Sequence, residues 1–164
     1  MSTAWLGLGS NVNADENIRA GIAELLNQFE NVALSPVFAS AAVGFDGDDF
    51  INLVARVDTV MQPLELRQYL RDLEDRYGRK RDVPKFSDRV LDIDILLYDD
   101  LVVYSPLLEI PRAEILKFAH VLKPLAGLDP DLVHPRELRT MTDIWETSCL
   151  DDGYLTLLPN FNQA

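Results

Sequence analysis

The sequence predicts an α+β fold, in which two helices pack against an antiparallel sheet and further elements follow at the C-terminal end. Three observations predict it. Stretches of strand length alternate with two longer stretches of helical spacing, in the order β-α-β-β-α-β through residue 98. Of the 164 residues, 48% are hydrophobic, which is enough for one sizeable core. No linker or repeat divides the chain, so residues 1–164 are predicted to form a single domain.

The first half of the chain is predicted to supply a strand, a helix and two more strands. Residues 3–10 form a short buried strand, and the helix follows over residues 13–29. Residues 32–43 and 50–61 are rich in aliphatic and aromatic side chains and are predicted strands, joined by a Gly- and Asp-rich connection. The helix prediction rests on apolar positions that recur along one face: Ile18, Ile22, Leu25, Leu26 and Phe29.

A second helix, a polar loop and another strand complete this order. The helix is predicted over residues 62–78, with Pro63 in its first turn and Gly78 just past its end. Residues 79–88 form the polar loop, and residues 90–98 form the strand. The resulting βαββαβ order is that of the ferredoxin-like sandwich.

Residues beyond 98 are predicted to be additions to this sandwich. Residues 101–105 follow a turn of two aspartates and are predicted to be a partner strand for residues 90–98. Residues 110–128 are expected to be partly helical, and a short amphipathic stretch lies at residues 141–145. The segment after Asp129 is acidic, and its composition alone indicates no function.

The charge and the cysteine content exclude several classes of partner and location. The formal net charge is -12, which argues against nonspecific binding to nucleic acid or to an anionic membrane surface. Cys149 is the single cysteine, so no internal disulfide is possible and a reducing compartment is expected. The first residues lack the pattern of a signal peptide, and no apolar run is long enough to span a bilayer. We therefore expect a cytoplasmic protein, and we expect it to be a monomer.

Several short motifs suggest other chemistries but lack the context that each one needs. Gly7 and Gly9 follow a strand as in a dinucleotide-binding fingerprint, but Val12 stands at the third glycine position. The sequence contains no P-loop motif for a nucleotide. His120 and His134 have no neighbours at zinc-ligand spacing, so a zinc site is not predicted.

The predicted strand at residues 90–98 carries two acids, Asp92 and Asp94, among aliphatic residues. Side chains alternate along a strand, so both carboxylates lie on one face, about 6–7 Å apart at the backbone. The other face is predicted to enter the core through Leu91, Ile93, Ile95 and Leu97. Two such carboxylates suit Mg²⁺, which binds few carboxylates together with phosphate oxygens and water. The alternative is that both acids line a solvated face and pair with arginines.

A cluster of positive charge lies directly before this strand. Five of the chain's fifteen Lys and Arg residues fall within eleven positions: Arg79, Lys80, Arg81, Lys85 and Arg89. Guanidinium groups match phosphate oxygens with two parallel hydrogen bonds, and a loop can close over a ligand. Taken alone, the cluster also fits a solvated basic loop. Together with Asp92 and Asp94, it predicts binding of Mg²⁺ and a nucleoside triphosphate.

Five segments of the chain, taken in order and spacing, resemble one enzyme family. They are GSN at 9–11, FINLVARVDT at 50–59, LEDRYGRKR at 73–81, RVLDIDILLY at 89–98 and the long segment at 110–135. The family is 6-hydroxymethyl-7,8-dihydropterin pyrophosphokinase of folate biosynthesis, and the most specific element of the resemblance is Arg89 followed by Asp92 and Asp94. The resemblance implies a ferredoxin-like α+β fold, in agreement with the order of elements.

The resemblance also implies a reaction and its cofactor. Members of the family transfer a pyrophosphoryl group from ATP to the hydroxymethyl group of 6-hydroxymethyl-7,8-dihydropterin and release AMP. The pterin hydroxyl would attack the β-phosphorus in line, with no covalent enzyme intermediate. Asp92 and Asp94 would hold two Mg²⁺ ions that bridge the triphosphate.

The resemblance assigns residues to each substrate, and it implies catalytic roles for Asp92, Asp94, Arg79 and Arg89. Asn52 would hydrogen-bond the pterin ring, although an asparagine that satisfies a strand end is the alternative. The implied ATP-binding residues are Glu74, Arg79, Arg81, Lys85, Arg89, Ile95 and Arg112. The implied pterin-binding residues are Ser40, Val43, Phe50, Asn52, Phe86 and His120.

Several positions depart from the family pattern. Ser87-Asp88 stand in place of Gly-Pro, and Phe86 stands in place of a frequent Trp. Phe118 replaces an arginine near the phosphates, for which Arg112 is expected to compensate, and His120 replaces a stacking aromatic. These departures leave two alternatives to the enzyme itself. One is a paralogue that binds nucleotide or pterin without turnover, and the other is a transferase for a related hydroxymethyl heterocycle.

Overall fold

The computed structural model describes residues 1–41, 47–78 and 90–161. Its helices and strands alternate in the predicted order, and the chain then adds short elements at its C-terminal end. In chain order they are β1 (Ser2–Ser10), α1 (Ala14–Gln28), β2 (Val32–Leu34), β3 (Phe38–Ser40), β4 (Phe50–Thr59), α2 (Pro63–Arg76), β5 (Asp92–Tyr98), β6 (Val103–Tyr104), β7 (Glu109–Ile110), α3 (Glu114–Lys117), α4 (Ala119–Leu128), α5 (Met141–Thr147) and β8 (Leu155–Leu157).

The main sheet has the strand order β5-β1-β4-β3-β8, and β2 also pairs with β4. The pairings are antiparallel, and β1 is paired along its whole length with β4, from Ser2 opposite Thr59 to Ser10 opposite Ile51. The predicted α+β fold with an antiparallel sheet is confirmed. Among the described residues, no helix is long and apolar enough to cross a membrane.

The two faces of the sheet are covered by different helices. On one face α1 and α2 bury their apolar stripes, represented by Ile18 and Leu70, against Leu6 and Leu53 of the sheet. On the other face the C-terminal helices α3, α4 and α5 pack against Trp5, Val54 and other residues near one end of the sheet. Burial of apolar surface on both faces supplies the main stabilisation of the fold.

A β-bulge in β5 changes one prediction about the core. The register with β1 shifts between Trp5 and Leu6, so that one extra residue is accommodated in β5. Leu96 and Leu97 consequently both pack with the C-terminal helices, whereas Ile95 lies in the cluster beneath α1 and α2. The expectation that Leu97 shares a face with Ile95 is therefore wrong, because the bulge reverses the alternation after Ile95.

Two strands differ from the predicted ones. The predicted strand at 32–43 is two short strands, β2 and β3, interrupted at Ser35-Pro36. Proline cannot donate to a strand ladder, and Ser35 bridges the interruption because its backbone N–H donates to Val54 O and its Oγ accepts from Val54 N–H. The predicted partner strand at 101–105 contains β6, which pairs with β7 in a local hairpin and not with β5. A short turn favours this hairpin, since Ser105 N–H donates to Leu108 O.

The segment after residue 128 completes the sheet and both cores. β8 pairs with β3 at the edge of the sheet, and Phe161 is buried in the cluster beneath α1. Asp129 accepts hydrogen bonds from Trp5 Nε1 at 2.7 Å and from Arg56 Nη1 at 2.5 Å. This carboxylate therefore joins the end of α4 to β1 and β4.

We predict that Asp129→Ala lowers the free energy of unfolding by about 1–3 kcal/mol, because the indole N–H of Trp5 would lose its acceptor in a buried position. Urea denaturation measures the loss. Asp131→Ala is the matched control, since Asp131 is exposed. Equal stability of the two variants would contradict the prediction.

Candidate functional site

One row of side chains crosses the sheet on the face that carries Asp92. In the antiparallel register Asp92 of β5 lies opposite Gly9 of β1, Gly9 lies opposite Asn52 of β4, and Asn52 lies opposite Phe38 of β3. Residues directly opposite each other share a face. Since neighbouring strands are about 4.8 Å apart, the backbones at Asp92 and Asn52 are about 10 Å apart. The row thus presents a carboxylate and an amide on either side of a position without a side chain.

A second row begins at Asp94, which lies opposite Gly7, which in turn lies opposite Val54. Here the space above the glycine is filled, because a Cβ at Gly7 would lie 3.3 Å from the Leu96 side chain. Val54 and Leu96 belong to the core beneath the C-terminal helices. The covered part of this face therefore begins beside Asp94, and the acids stand at its border.

Gly9 is required by the close approach of its neighbours. A Cβ at this position would lie 3.1 Å from Asn52 Oδ1 and 3.9 Å from the Phe50 ring. A contact of 3.1 Å is tighter than ordinary van der Waals contact, so any side chain at Gly9 would displace the amide. Glycine at this position therefore leaves room for the Asn52 amide beside it.

Three of the predicted pterin-binding residues lie together on β3 and β4. Asn52 Nδ2 donates a hydrogen bond of 2.7 Å to Ser40 Oγ, and both residues are buried. Ser40 lies opposite Phe50 in the register of these strands. A primary amide offers two N–H donors and an acceptor oxygen, and the contact with Ser40 uses one donor. Val43 and Phe86, the other predicted contacts on this side, lie outside the described residues.

His120 lies at the start of α4, which packs across β4 and β3. Its ring stacks on Phe118, with centroids 5.1 Å apart and an interplanar angle of 18°. The Tyr154 hydroxyl lies 3.0 Å from His120 Nδ1. Burial lowers the pKa of His120, and the nearby Glu114 carboxylate only partly opposes this effect. The imidazole is therefore held in its neutral form near neutral pH.

Asp94 has a cationic neighbour in Arg112. Arg112 Nη1 lies 4.0 Å from Asp94 Oδ1, and its Nη2 lies 2.8 Å from Glu114 Oε1. The backbone N–H of Arg112 donates to Leu96 O, which fixes this segment beside β5. The Asp94 and Glu114 carboxylates outweigh burial and raise the pKa of Arg112 above its ordinary value. The Asp94 side chain is still 42% exposed, so the arginine does not enclose it.

A cavity of about 270 Å³ borders the edge strand β5 between α2 and residues 105–112. Both acids line it, as do Ile95 and Arg112. Glu74, assigned to ATP by resemblance, also lines it, but its Oε2 accepts the backbone N–H of Ile93 at 2.9 Å and its side chain is buried. Glu74 therefore also satisfies a backbone donor on the edge of the sheet.

Arg67 and Arg71 line the same cavity and were not predicted from the sequence. They lie on α2 one turn apart, and Glu74 follows on the same side of the helix. This spacing was the available signal. It is weak by itself, because charged residues at such spacing are also typical of a helix face in solvent.

The structure leaves the basic cluster untested. Arg79, Arg81, Lys85 and Arg89 lie outside the described residues, which end at Gly78 and resume at Val90. Val90 O accepts a hydrogen bond from Ser10 Oγ, so the chain resumes beside β1. No group of three or more His, Cys, Asp or Glu side chains suited to a metal is found in the described part of the chain. A metal at Asp92 and Asp94 would accordingly need phosphate or water oxygens as further ligands.

A family model described as 7,8-dihydro-6-hydroxymethylpterin-pyrophosphokinase (HPPK) matches residues 5–130. The chain belongs to the HPPK family. Its members transfer pyrophosphate from ATP to hydroxymethyldihydropterin in folate biosynthesis. The family predicted from the sequence is thereby confirmed.

Relatives in the HPPK family cover most of the chain. The chain is 36% identical to the 2-amino-4-hydroxy-6-hydroxymethyldihydropteridine pyrophosphokinase of Aquifex aeolicus over 137 residues, which are 82% of this chain and 85% of that protein. It is 38% identical over 135 residues to the enzyme of that name from Pseudomonas aeruginosa, covering 80% of this chain and 83% of the relative.

A solved structure of an HPPK-DHPS protein shares the fold. The wild-type Plasmodium falciparum protein with pteroate matches 88% of this chain with a TM-score of 0.70, at 12% sequence identity. The present chain spans 42% of that longer chain. At this identity the likeness supports the fold alone.

We predict that Glu74→Ala lowers the free energy of unfolding by about 1–3 kcal/mol, because the buried N–H of Ile93 would lose its acceptor. Asp72→Ala on the exposed side of α2 is the control, and we expect it to change stability by less than about 0.5 kcal/mol. Chemical denaturation of the two variants in parallel measures both free energies of unfolding. If Glu74→Ala is as stable as the control, the hydrogen bond to β5 contributes nothing.

Proposed function

We propose that this chain transfers the pyrophosphoryl group of ATP to 6-hydroxymethyl-7,8-dihydropterin and yields the pterin diphosphate and AMP. The observation that carries the proposal is the row formed by Asp92, Gly9 and Asn52. The backbones of Asp92, which carries the carboxylate, and Asn52, which carries the buried amide, are about 10 Å apart. This separation matches the length of a bicyclic pterin with its hydroxymethyl arm. The membership of the HPPK family supports the same reaction.

Asp92 and Asp94 fit a magnesium site. Their carboxylates are half-buried on one face, the residues opposite them are glycines, and oxygen is the ligand atom that Mg²⁺ prefers. We propose that they hold two Mg²⁺ ions together with the triphosphate. Bound Mg²⁺ would offset the charge of the phosphates and lower the pKa of the pterin hydroxyl.

The side chains of the chain would mainly orient the two substrates. Asn52, fixed by Ser40, would hydrogen-bond the pterin ring, while Phe50 and His120 would lie against it. The hydroxyl oxygen then forms a bond to the β-phosphorus as the bond from the β-phosphorus to the α,β-bridging oxygen breaks. That oxygen leaves with AMP, and one proton is released overall. Positioning of this kind provides much of the rate enhancement in two-substrate reactions.

The cavity beside β5 would hold the nucleotide. We propose that Ile95 and its apolar neighbours contact the adenine and that Arg112 contacts the phosphates, while Glu74 holds the strand edge in place. Arg67 and Arg71 extend the positive charge along α2 and are added to the ATP side. The basic residues Arg79, Arg81, Lys85 and Arg89, with Arg79 and Arg89 as catalytic groups, are assigned by family resemblance, as are Val43 and Phe86 on the pterin side.

We further propose that residues 1–164 act as one HPPK-like domain, as a monomer in the cytoplasm. The pairing of β8 with β3 and the burial of Phe161 support the single domain. The net charge of -12 supports the absence of a nucleic-acid partner.

The position of Arg112 favours a second candidate, a paralogue that binds nucleotide or pterin without turnover. A cation 4.0 Å from Asp94 competes with a metal ion for that carboxylate. Calorimetry and AMP release separate the candidates. Tight binding of either substrate without AMP production would support the paralogue. A panel of other hydroxymethyl heterocycles, again with AMP as the product measured, tests the related-transferase alternative.

We predict AMP release from ATP, Mg²⁺ and hydroxymethyldihydropterin. We expect Asp94→Asn to lower kcat at least about 100-fold, because the proposed Mg²⁺ would lose a carboxylate ligand and the phosphates would lose the positive charge that the ion supplies. Asp100→Asn, in the exposed turn at the other end of β5, is the matched control and should keep wild-type activity. AMP no higher than in a blank without enzyme would refute the proposed reaction. Full activity of Asp94→Asn would refute the metal site.

We predict that Gly9→Ala raises the KM for the pterin by about 10-fold, because the new methyl group would displace the Asn52 amide. Gly21→Ala is the control for crowding, since its Cβ would lie 3.2 Å from Leu91 on the face of the sheet that α1 covers. Steady-state kinetics of both variants give the KM values. A Gly9→Ala enzyme with an unchanged KM would show that the amide does not contact the pterin.

A further inference from the structure

Residues 151–157, which we call the C-terminal strap, connect α4 to the sheet edge. Asp152 Oδ2 accepts an ion-paired hydrogen bond of 2.6 Å from Lys123 Nζ on α4. The strap then enters β8, where Leu155 lies opposite Ser40 of β3. Ser40 is the residue that holds the Asn52 amide. The strap therefore adjoins the pterin side of the site, although it lies outside the residues matched by the family model.

Tyr154 of the strap contacts His120 in three ways. Its hydroxyl accepts the backbone N–H of His120 at 3.2 Å, and it lies 3.0 Å from His120 Nδ1. The two rings meet edge to face, with centroids 6.0 Å apart at 80°. Phe118 covers one face of the imidazole. The ring of His120 is thus held at its edge and on one face.

These contacts favour one position for the proton of the imidazole. The backbone N–H of His120 occupies one acceptor position of the Tyr154 oxygen, which leaves the hydroxyl proton to be donated to Nδ1. A neutral imidazole that accepts at Nδ1 carries its hydrogen on Nε2. Burial keeps both side chains neutral, since it lowers the pKa of His120 and raises the pKa of Tyr154. Nε2–H is then a donor that suits a carbonyl oxygen or a ring nitrogen of a heterocycle.

We propose that Tyr154 is a positioning residue that fixes His120 as its Nε2–H tautomer, so that the edge of the imidazole presents a hydrogen-bond donor to the pterin. The ligand in this inference rests on the proposed function. The contact between Tyr154 and His120 does not, because it is formed by two residues of the chain itself.

The test uses Tyr154→Phe in the full chain, which keeps the aromatic ring and removes the hydroxyl. Long-range ¹H–¹⁵N spectra of the free protein report the tautomer of each histidine. We expect His120 to be the Nε2–H form in the wild type and to lose that preference in Tyr154→Phe. His134 is an internal reference, because its Nδ1 accepts the backbone N–H groups of Arg136 and Glu137 and should not respond.

Binding and kinetics then connect the tautomer to function. We expect Tyr154→Phe to raise the Kd and KM for the pterin about 5-fold, with kcat and the KM for ATP unchanged, as expected for loss of one hydrogen bond. Tyr104→Phe removes an exposed hydroxyl that accepts from Arg136 and should change neither the tautomer nor the binding. In a His120→Phe background, Tyr154→Phe should have no further effect on the Kd, which controls for a general loss of stability.

Three results would overturn the inference: an Nδ1–H tautomer in the wild type, an unchanged tautomer in Tyr154→Phe, or a changed tautomer with unchanged pterin affinity. Absence of AMP release with intact pterin binding would overturn the proposed reaction instead. In that case the tautomer and Kd measurements still decide the role of Tyr154, so the two failures are distinguishable.

Discussion

The pairing of β1 with both β5 and β4 is the constraint on which the site depends. Because opposite residues in an antiparallel ladder share a face, the register alone brings Asp92, Gly9 and Asn52 into one row. In the sequence, about 40 residues separate Gly9 from Asn52, and about 40 separate Asn52 from Asp92. Helices α1 and α2 cover the opposite face of the sheet, and the C-terminal helices cover part of the face that carries this row. A rigid sheet with loops at its border can thus hold two substrates at a fixed separation.

At the border of the sheet Arg112 offsets part of the negative charge of a chain that is strongly acidic overall. Asp94, Glu114 and Glu109 surround Arg112, which is held by its backbone beside β5 and by its side chain on Glu114. Glu114 holds the guanidinium of Arg112 in place through hydrogen bonds from Nε and Nη2, so the group is oriented in advance beside Asp94. The same anchoring keeps Arg112 from closing fully on Asp94, whose side chain stays partly open to solvent.

Much of the fold follows from local pattern, whereas the site depends on register. Alternation and helical spacing predicted the βαββαβ order, and the period of two placed Asp92 and Asp94 on one face. The bulge at Leu96 could not be predicted, because an extra strand residue leaves no mark on composition. The partner of β6 was missed because the connections from β6 to β5 and from β6 to β7 have similar lengths, so chain length does not choose between the two hairpins. Arg67 and Arg71 look like solvent-facing charges until the cavity beside them is seen.

The bulge in β5 separates two stretches of the strand that each pair regularly with β1. Because Leu96 is the extra residue, its loss would leave the aspartates opposite their glycines and the later residues opposite their present partners. What would be lost is the side chain that fills the space above Gly7. Leu96 therefore closes the covered part of this face beside Asp94, and a substitution that keeps a bulky aliphatic group there preserves that closure.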